Sequence, residues 1–318
     1  MEVNDEKTDL THFTEHRSFS DLYVIRLWHR IPVIIQAIIL GALICEIGIM
    51  AWLVTIGFIP APWSVFVMIG VFWLYWKYFS GSWGPKSTVD SRKFSFRSVN
   101  MSTTVWKWGL VAAFLLVVIV QSGLILTFRI IDFPAETFTT IDYDLFPLWF
   151  VVVFIIMAAL EAGMFEEVGF RGYMQIPLEK RYGPKVGITI VSIMFVVLHL
   201  HQVWAPPVLI HIFVISLLFG ILAYSSGSLI PGIIGHTIID IFSWAYWWSG
   251  VAEKFEMRTI FDIGIDIHFI LWVIIFGIST ALFFWTVHKL TTVRQQTTEQ
   301  QILENNQKTL KESVPHLY

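Results

Sequence analysis

Eight stretches of roughly twenty mostly apolar residues dominate this chain. They lie at roughly 32–58, 62–79, 105–128, 146–168, 187–203, 208–225, 229–248 and 265–287. About 20 apolar residues carry a helix across a bilayer. In lipid every backbone N–H and C=O must be bonded inside the segment. Pro60-Ala61-Pro62, Pro206-Pro207 and Ser225-Ser226-Gly227-Ser228 punctuate the runs as loops do. The expected fold is all-α, a polytopic membrane helix bundle with about eight transmembrane helices. Composition agrees. Charged residues make up 14% of the chain and mean hydropathy is +0.68, whereas a soluble domain carries about a quarter charged residues. A soluble enzyme, a disordered chain and a coiled coil are excluded. With 21 basic against 24 acidic residues, so is a nucleic-acid partner. The single Cys45 sits in an apolar run, where it reads as a small core hydrophobe and not as part of a disulfide or zinc framework.

Charge also orients the chain. Eight spans put both termini on one side, with the loops near 80–104, 171–186 and 225–228. Of the 21 Lys and Arg residues, only Arg129, Lys254 and Arg258 fall on the other side. The positive-inside rule makes the basic side cytoplasmic, in what we read as a bacterial plasma membrane. The first run follows Arg26 and Arg30 and is too long for a signal-peptide core, so it reads as an uncleaved anchor. The expected organisation is a cytoplasmic tail at 1–31, N-terminal transmembrane helices at 32–145, and a core at 146–249. A last transmembrane hairpin at 250–290 and a polar cytoplasmic tail at 291–318 follow.

Ionisable groups inside membrane spans are costly, and each is a functional candidate by default. Here they are Glu46, Glu161, Glu166, Glu167, His199, His201, His211, His236 and Asp240, most of them between 161 and 240. Glu167 and Arg171 are four apart on one helix face and can pair. Glu166 is rotated about 100° away, which leaves it as the carboxylate able to act as a base. Phe195 and His199 share a face, as do His236 and Asp240. Structural or interfacial roles are expected for Glu46, His201 and His211. Glu161 would line a cavity or support the site from behind.

A carboxylate and two histidines on three helices can meet at one point. A Glu and a His can hold and deprotonate a water, while a second His with a polar neighbour one turn on can stabilise an oxyanion. That is a hydrolase design for an amide in or beside the membrane. Glu166, His199 and His236 could equally hold a divalent metal such as Zn with one open position. Other intramembrane protease designs fit less well. H-E-x-x-H is absent, Tyr224-Ser225-Ser226-Gly227 lacks the first Gly of G-x-S-G, and Asp262-Ile263-Gly264-Ile265-Asp266 is a poor match to G-x-G-D. One tension is geometric. His199 would lie about 18 Å into its span at 1.5 Å per residue, whereas Glu166 lies near the cytoplasmic end of its own. A tilt, or a fourth helix that runs on past Arg171, would reconcile them.

The ordered set Glu166-Glu167-x-x-x-Arg171, Phe195-x-x-x-His199 and His236-x-x-x-Asp240 resembles the family of CAAX prenyl proteases and bacteriocin-processing enzymes, the CPBP or Abi family. The approach Gly227-Ser228-Leu229-Ile230-Pro231-Gly232 is similar too. The resemblance covers about 146–249. It implies an intramembrane endopeptidase in which Glu166 and His199 activate a water, and His236 with residue 240 forms the oxyanion site. Glu167, Arg171 and Phe195 would support them. The family often has Asn where this chain has Asp240, so Asp240 must be protonated there or instead orient His236. Members have been described both as metallopeptidases and as glutamate-dependent peptidases; metal-free catalysis is the expectation here. The implied partners are a membrane-associated peptide or protein substrate and the lipid bilayer. A non-catalytic membrane scaffold of the same fold is the competing reading, and a proton-coupled transporter is a third.

Overall fold

The computed structural model describes residues 26–28, 30–97, 101–132, 143–200, 206–247, 249, 251–252 and 258–313. Among these there is no strand, and each of the eight apolar runs is a helix. The main helices are α1 (Val33–Phe58), α2 (Ser64–Phe79), α3 (Val89–Ser95), α4 (Thr103–Ile130), α5 (Leu148–Glu166), α6 (Gln175–Tyr182) and α7 (Pro184–Leu198). They continue with α8 (Pro206–Ser226), α9 (Ile230–Phe242), the short α10 (Ile260–Ile263) and α11 (Ile267–Ser313). Two wider π-helical turns follow α5 and α9, at Glu167–Met174 and Ser243–Trp247.

Five helical stretches are long and apolar enough to cross a membrane: Val33–Phe58, Thr103–Ile130, Leu148–Tyr182, Pro207–Ser226 and Ile267–Gln300. The expected spans at α2, α7 and α9 form shorter helices of 16, 15 and 13 residues. The chain is a multi-pass membrane protein. Large apolar side chains such as Phe58, Phe114, Ile210 and Ile274 stand exposed on the bundle, as lipid-facing positions must.

The fourth span departs from the sequence expectation. A loop was expected over 171–186, but α5, the π turn and α6 form one helix to Tyr182, and the break narrows to Gly183 at φ +83. Pro184 then opens α7 at a position where its missing N–H costs nothing. Glu167, Arg171, Gln175 and Glu179 of this stretch turn inward and are paired, while Lys180 and Arg181 stay exposed. Glu167 meets Arg171 at 3.1 Å, and Gln175 donates to Glu179 at 2.6 Å and to the Gly220 carbonyl at 3.0 Å. Glu179 also takes Arg97 at 2.7 Å. A polar segment that reads as a loop is therefore a helical spine with its inner face buried. The tension over the depth of Glu166 is resolved by the fourth helix running on past Arg171.

Two packing centres hold this spine. One lies around α4, which contacts α8, α9 and α11 and shares with them a core that includes Leu116, Val120, Phe219, Leu222, Phe283 and Leu290. The other is the contact of α1 with the first π turn. Small residues Ala37, Gly41, Cys45 and Gly48 line that face of α1. A Cβ added to Gly169 would lie 2.7 Å from the Gly41 carbonyl oxygen and 2.8 Å from the Cys45 Cβ. This is the close backbone approach that small residues permit between membrane helices. Cys45 is a small buried packing residue, as expected, at 1% exposure.

At the opposite end of α4, Arg129 donates to Asp266 at 3.0 Å and ties α4 to the start of α11. The Phe269 backbone N–H and the Arg129 guanidinium hold the Asp266 carboxyl below its usual range. Helix α11 runs through the expected polar tail as far as Ser313.

Candidate active site

A cavity of about 450 Å³ opens between α1, α4, α5, α7, α8 and α9, and Glu166, His199, His236 and Asp240 all line it. These are the four residues the sequence nominates for the chemistry. They come from three separate elements: Glu166 ends α5, His199 caps α7, and His236 and Asp240 stand one turn apart on α9. Phe195 lines the same cavity. Glu167 and Arg171 lie behind this wall, both fully buried at 0% side-chain exposure.

The His236 imidazole is the hub. Its Nδ1 lies 3.1 Å from Glu167 Oε1, and its Nε2 lies 3.6 Å from Glu166 Oε2 and 3.8 Å from Asp240 Oδ2. A carboxylate only accepts, so Nδ1 carries the hydrogen in its bond to Glu167. The ring stacks on Phe219 with centroids 4.9 Å apart, which fixes its plane. Gly232 makes room for the partner: a Cβ there would sit 3.0 Å from Glu167 Oε2. The expected Glu167–Arg171 pair is present. Glu167, however, is shared between Arg171 and His236 and is not consumed by the arginine.

Arg171 is held on several sides. Its Nη2 donates to Ser216 Oγ at 3.0 Å, and its guanidinium lies 4.7 Å from the Phe195 ring centroid and 5.3 Å from that of Phe219. The charge thus meets a carboxylate, a hydroxyl and two aromatic faces, while its Nε and Nη1 have no hydrogen-bond partner among the described residues. The same two phenylalanines stack on the two histidines. Phe195 meets His199 at 4.5 Å with the rings nearly parallel. His199 Nδ1 donates to the Phe195 carbonyl at 2.7 Å. Because a carbonyl can only accept, the Nδ1 proton is fixed and, in the neutral ring, Nε2 keeps its lone pair.

Among the described residues, no three His, Cys, Asp or Glu side chains are grouped so as to hold a metal ion.

Two further ionisable residues line the cavity. Glu161 is 1% exposed, and neither of its carboxylate oxygens has a hydrogen-bond partner among the described residues. His211 faces the cavity from α8, where the sequence suggested a structural or interfacial role. The signal for both was their presence in apolar runs, which gives no direction. Trp52, Ser243 and Trp244 also contribute to the wall, and polarity alone did not nominate them. Glu46 is not among the lining residues, and His201 lies outside the described residues.

Residues 147–242 match the family model of the Rce1-like proteins, described as type II CAAX prenyl endopeptidase Rce1-like. The matched segment is less than a third of the chain. It runs from the start of α5 to the end of α9 and contains all seven of the nominated site residues. The match is consistent with the CPBP family and, at family level, supports a membrane endopeptidase acting on a membrane-associated substrate. No curated protein and no solved structure matches the chain.

Proposed function

We propose that the protein is an intramembrane endopeptidase that hydrolyses a peptide bond with a water activated by Glu166 and His199. The carrying observation is that Glu166, His199, His236 and Asp240, from three elements, line one cavity, with Glu166 and Asp240 both within 4.0 Å of His236 Nε2. Glu166 takes a proton from a water that His199 Nε2 holds through its lone pair. The water oxygen attacks the carbonyl carbon of the scissile bond. The carbonyl oxygen becomes an oxyanion and accepts from His236 Nε2–H and from neutral Asp240. With Nδ1–H donated to Glu167, an Nε2–H requires the imidazolium form. Arg171 keeps Glu167 in position. As the tetrahedral intermediate collapses, the C–N bond breaks and Glu166 returns its proton to the leaving amine. The substrate is bound at the membrane, in the class that the Rce1-like match names, and both chain termini lie in the cytoplasm of a bacterial cell.

The test compares membranes carrying wild type, Glu166→Gln or His199→Gln at equal abundance, by mass spectrometry of newly formed peptide termini. Termini found with wild type should fall by a factor of about 10²–10⁴ in either variant, the usual worth of general acid–base catalysis. Wild-type cleavage should survive a strong chelator. If no terminus depends on Glu166 or His199, the protein does not hydrolyse peptides and serves its partners as a scaffold.

A further inference from the structure

A second cleft, of about 360 Å³, lies away from the cavity, where α3, α6, α11 and the α8–α9 turn meet. Lys93, Arg97, Lys180 and Arg294 line it, and Glu179 is its one acidic lining residue. Both oxygens of Glu179 are engaged, Oε2 by Arg97 at 2.7 Å and Oε1 by Gln175 at 2.6 Å.

The arginines are placed by the backbone. Arg97 is 8% exposed and sits at φ +47, a left-handed conformation that costs a non-glycine residue energy. Its Nη1 donates to the Ala223 carbonyl at 2.7 Å, and its Nε has no hydrogen-bond partner among the described residues. Arg294 reaches in from α11 and donates to the Tyr224 carbonyl at 2.7 Å. It lies close enough to Arg97 for their charges to repel. Gly227, at φ +67, makes room for it: a Cβ there would lie 2.5 Å from the Arg294 guanidinium carbon. A strained residue and a glycine turn thus bring two like charges together around one carboxylate that is already committed. Such convergence costs energy unless an anion enters, and a phosphate is the anion that guanidinium groups bind in a paired, directional way.

Location favours the bilayer as the source. The cleft lies where the basic loops collect, about two turns beyond the last apolar run of α11. Lys180 extends over the Phe94 ring at 4.0 Å, and Phe94 is itself exposed. Basic pockets between membrane helices at the headgroup level are suited to anionic lipid. We propose that this cleft is a phosphate site, occupied by the headgroup of an anionic phospholipid. It stands independently of the peptidase reading.

The test uses the full chain in nanodiscs of phosphatidylcholine with or without phosphatidylglycerol. Retained lipid is counted by native mass spectrometry, and melting temperature is measured in parallel. The wild type should retain phosphatidylglycerol in preference to phosphatidylcholine and melt higher with it. Lys93→Gln and Lys180→Gln, both at exposed positions, should each weaken retention about fivefold, as expected for loss of one basic residue at the headgroup level. Lys180→Arg, which keeps the charge, should hold it. Inorganic phosphate added to phosphatidylcholine discs is the second arm. A melting shift there, abolished by the Gln variants and without any phosphatidylglycerol preference, supports the phosphate site but overturns the lipid source. If neither probe is preferred, or if the Gln variants behave as wild type with both, the cleft is not a phosphate site.

Discussion

Asp240 carries the most instructive side chain of the site. It stands 3.8 Å from His236 Nε2, where an ionised carboxylate would oppose an oxyanion and a neutral donor would stabilise it. The two roles separate by substitution. Asp240→Asn keeps a donor in the same volume and should keep activity within about tenfold. Asp240→Ala should lose a factor of about 10²–10³, the usual worth of one oxyanion donor. If Asn is as damaging as Ala, Asp240 works as an anion that orients His236. Much of this was legible in the chain. Spacings of four placed Glu167 with Arg171, Phe195 with His199 and His236 with Asp240, and all three contacts are present. What spacing along one helix cannot express is contact between helices. The Glu167–His236 bond joins residues 69 apart. The orientation of His211 and Glu161 toward the cavity depends on how α8 and α5 are rotated, which near-uniformly apolar helices do not encode.

At the scale of elements, the first π turn decides the site. It carries Glu167 and Arg171, begins directly after Glu166 and packs on the small face of α1. Wider turns of this kind are frequent at functional sites. A Cβ on Gly41 would lie 2.6 Å from the Met174 Cβ and 2.8 Å from the Gly169 carbonyl oxygen. Gly41→Ala should therefore push α1 away from the turn, at a cost of about 1–3 kcal/mol, and lower both melting temperature and activity. Gly57→Ala, on the same helix with nothing within 4 Å of its added Cβ, is the control and should change neither. Equal effects of the two would mean that α1 does not brace the turn. The existence and order of the helices were plain from hydropathy. The run from Arg171 to Tyr182 was not, because its polar residues resemble a loop until their partners on α8 and before α4 are known.

For the whole molecule, the distribution of basic residues makes an orientation testable. Cys45 is buried and should resist labelling, so single cysteines placed at exposed Ser82 and half-buried Ser249 report cleanly. A membrane-impermeant maleimide should label Ser249→Cys on intact cells and Ser82→Cys only after the cytoplasmic face is opened. The reverse pattern would invert the topology. The lengths of the helices have a further consequence. At 1.5 Å per residue, α2 and α7, with 16 and 15 residues, reach only about 24 and 22 Å, against a hydrocarbon thickness of about 30 Å. A short apolar surface is met by local thinning of the bilayer, by snorkelling of flanking residues or by association with other chains. His199 sits at the end of one of these short helices. Thinning of the bilayer or snorkelling of flanking residues beside such a helix brings water closer to His199.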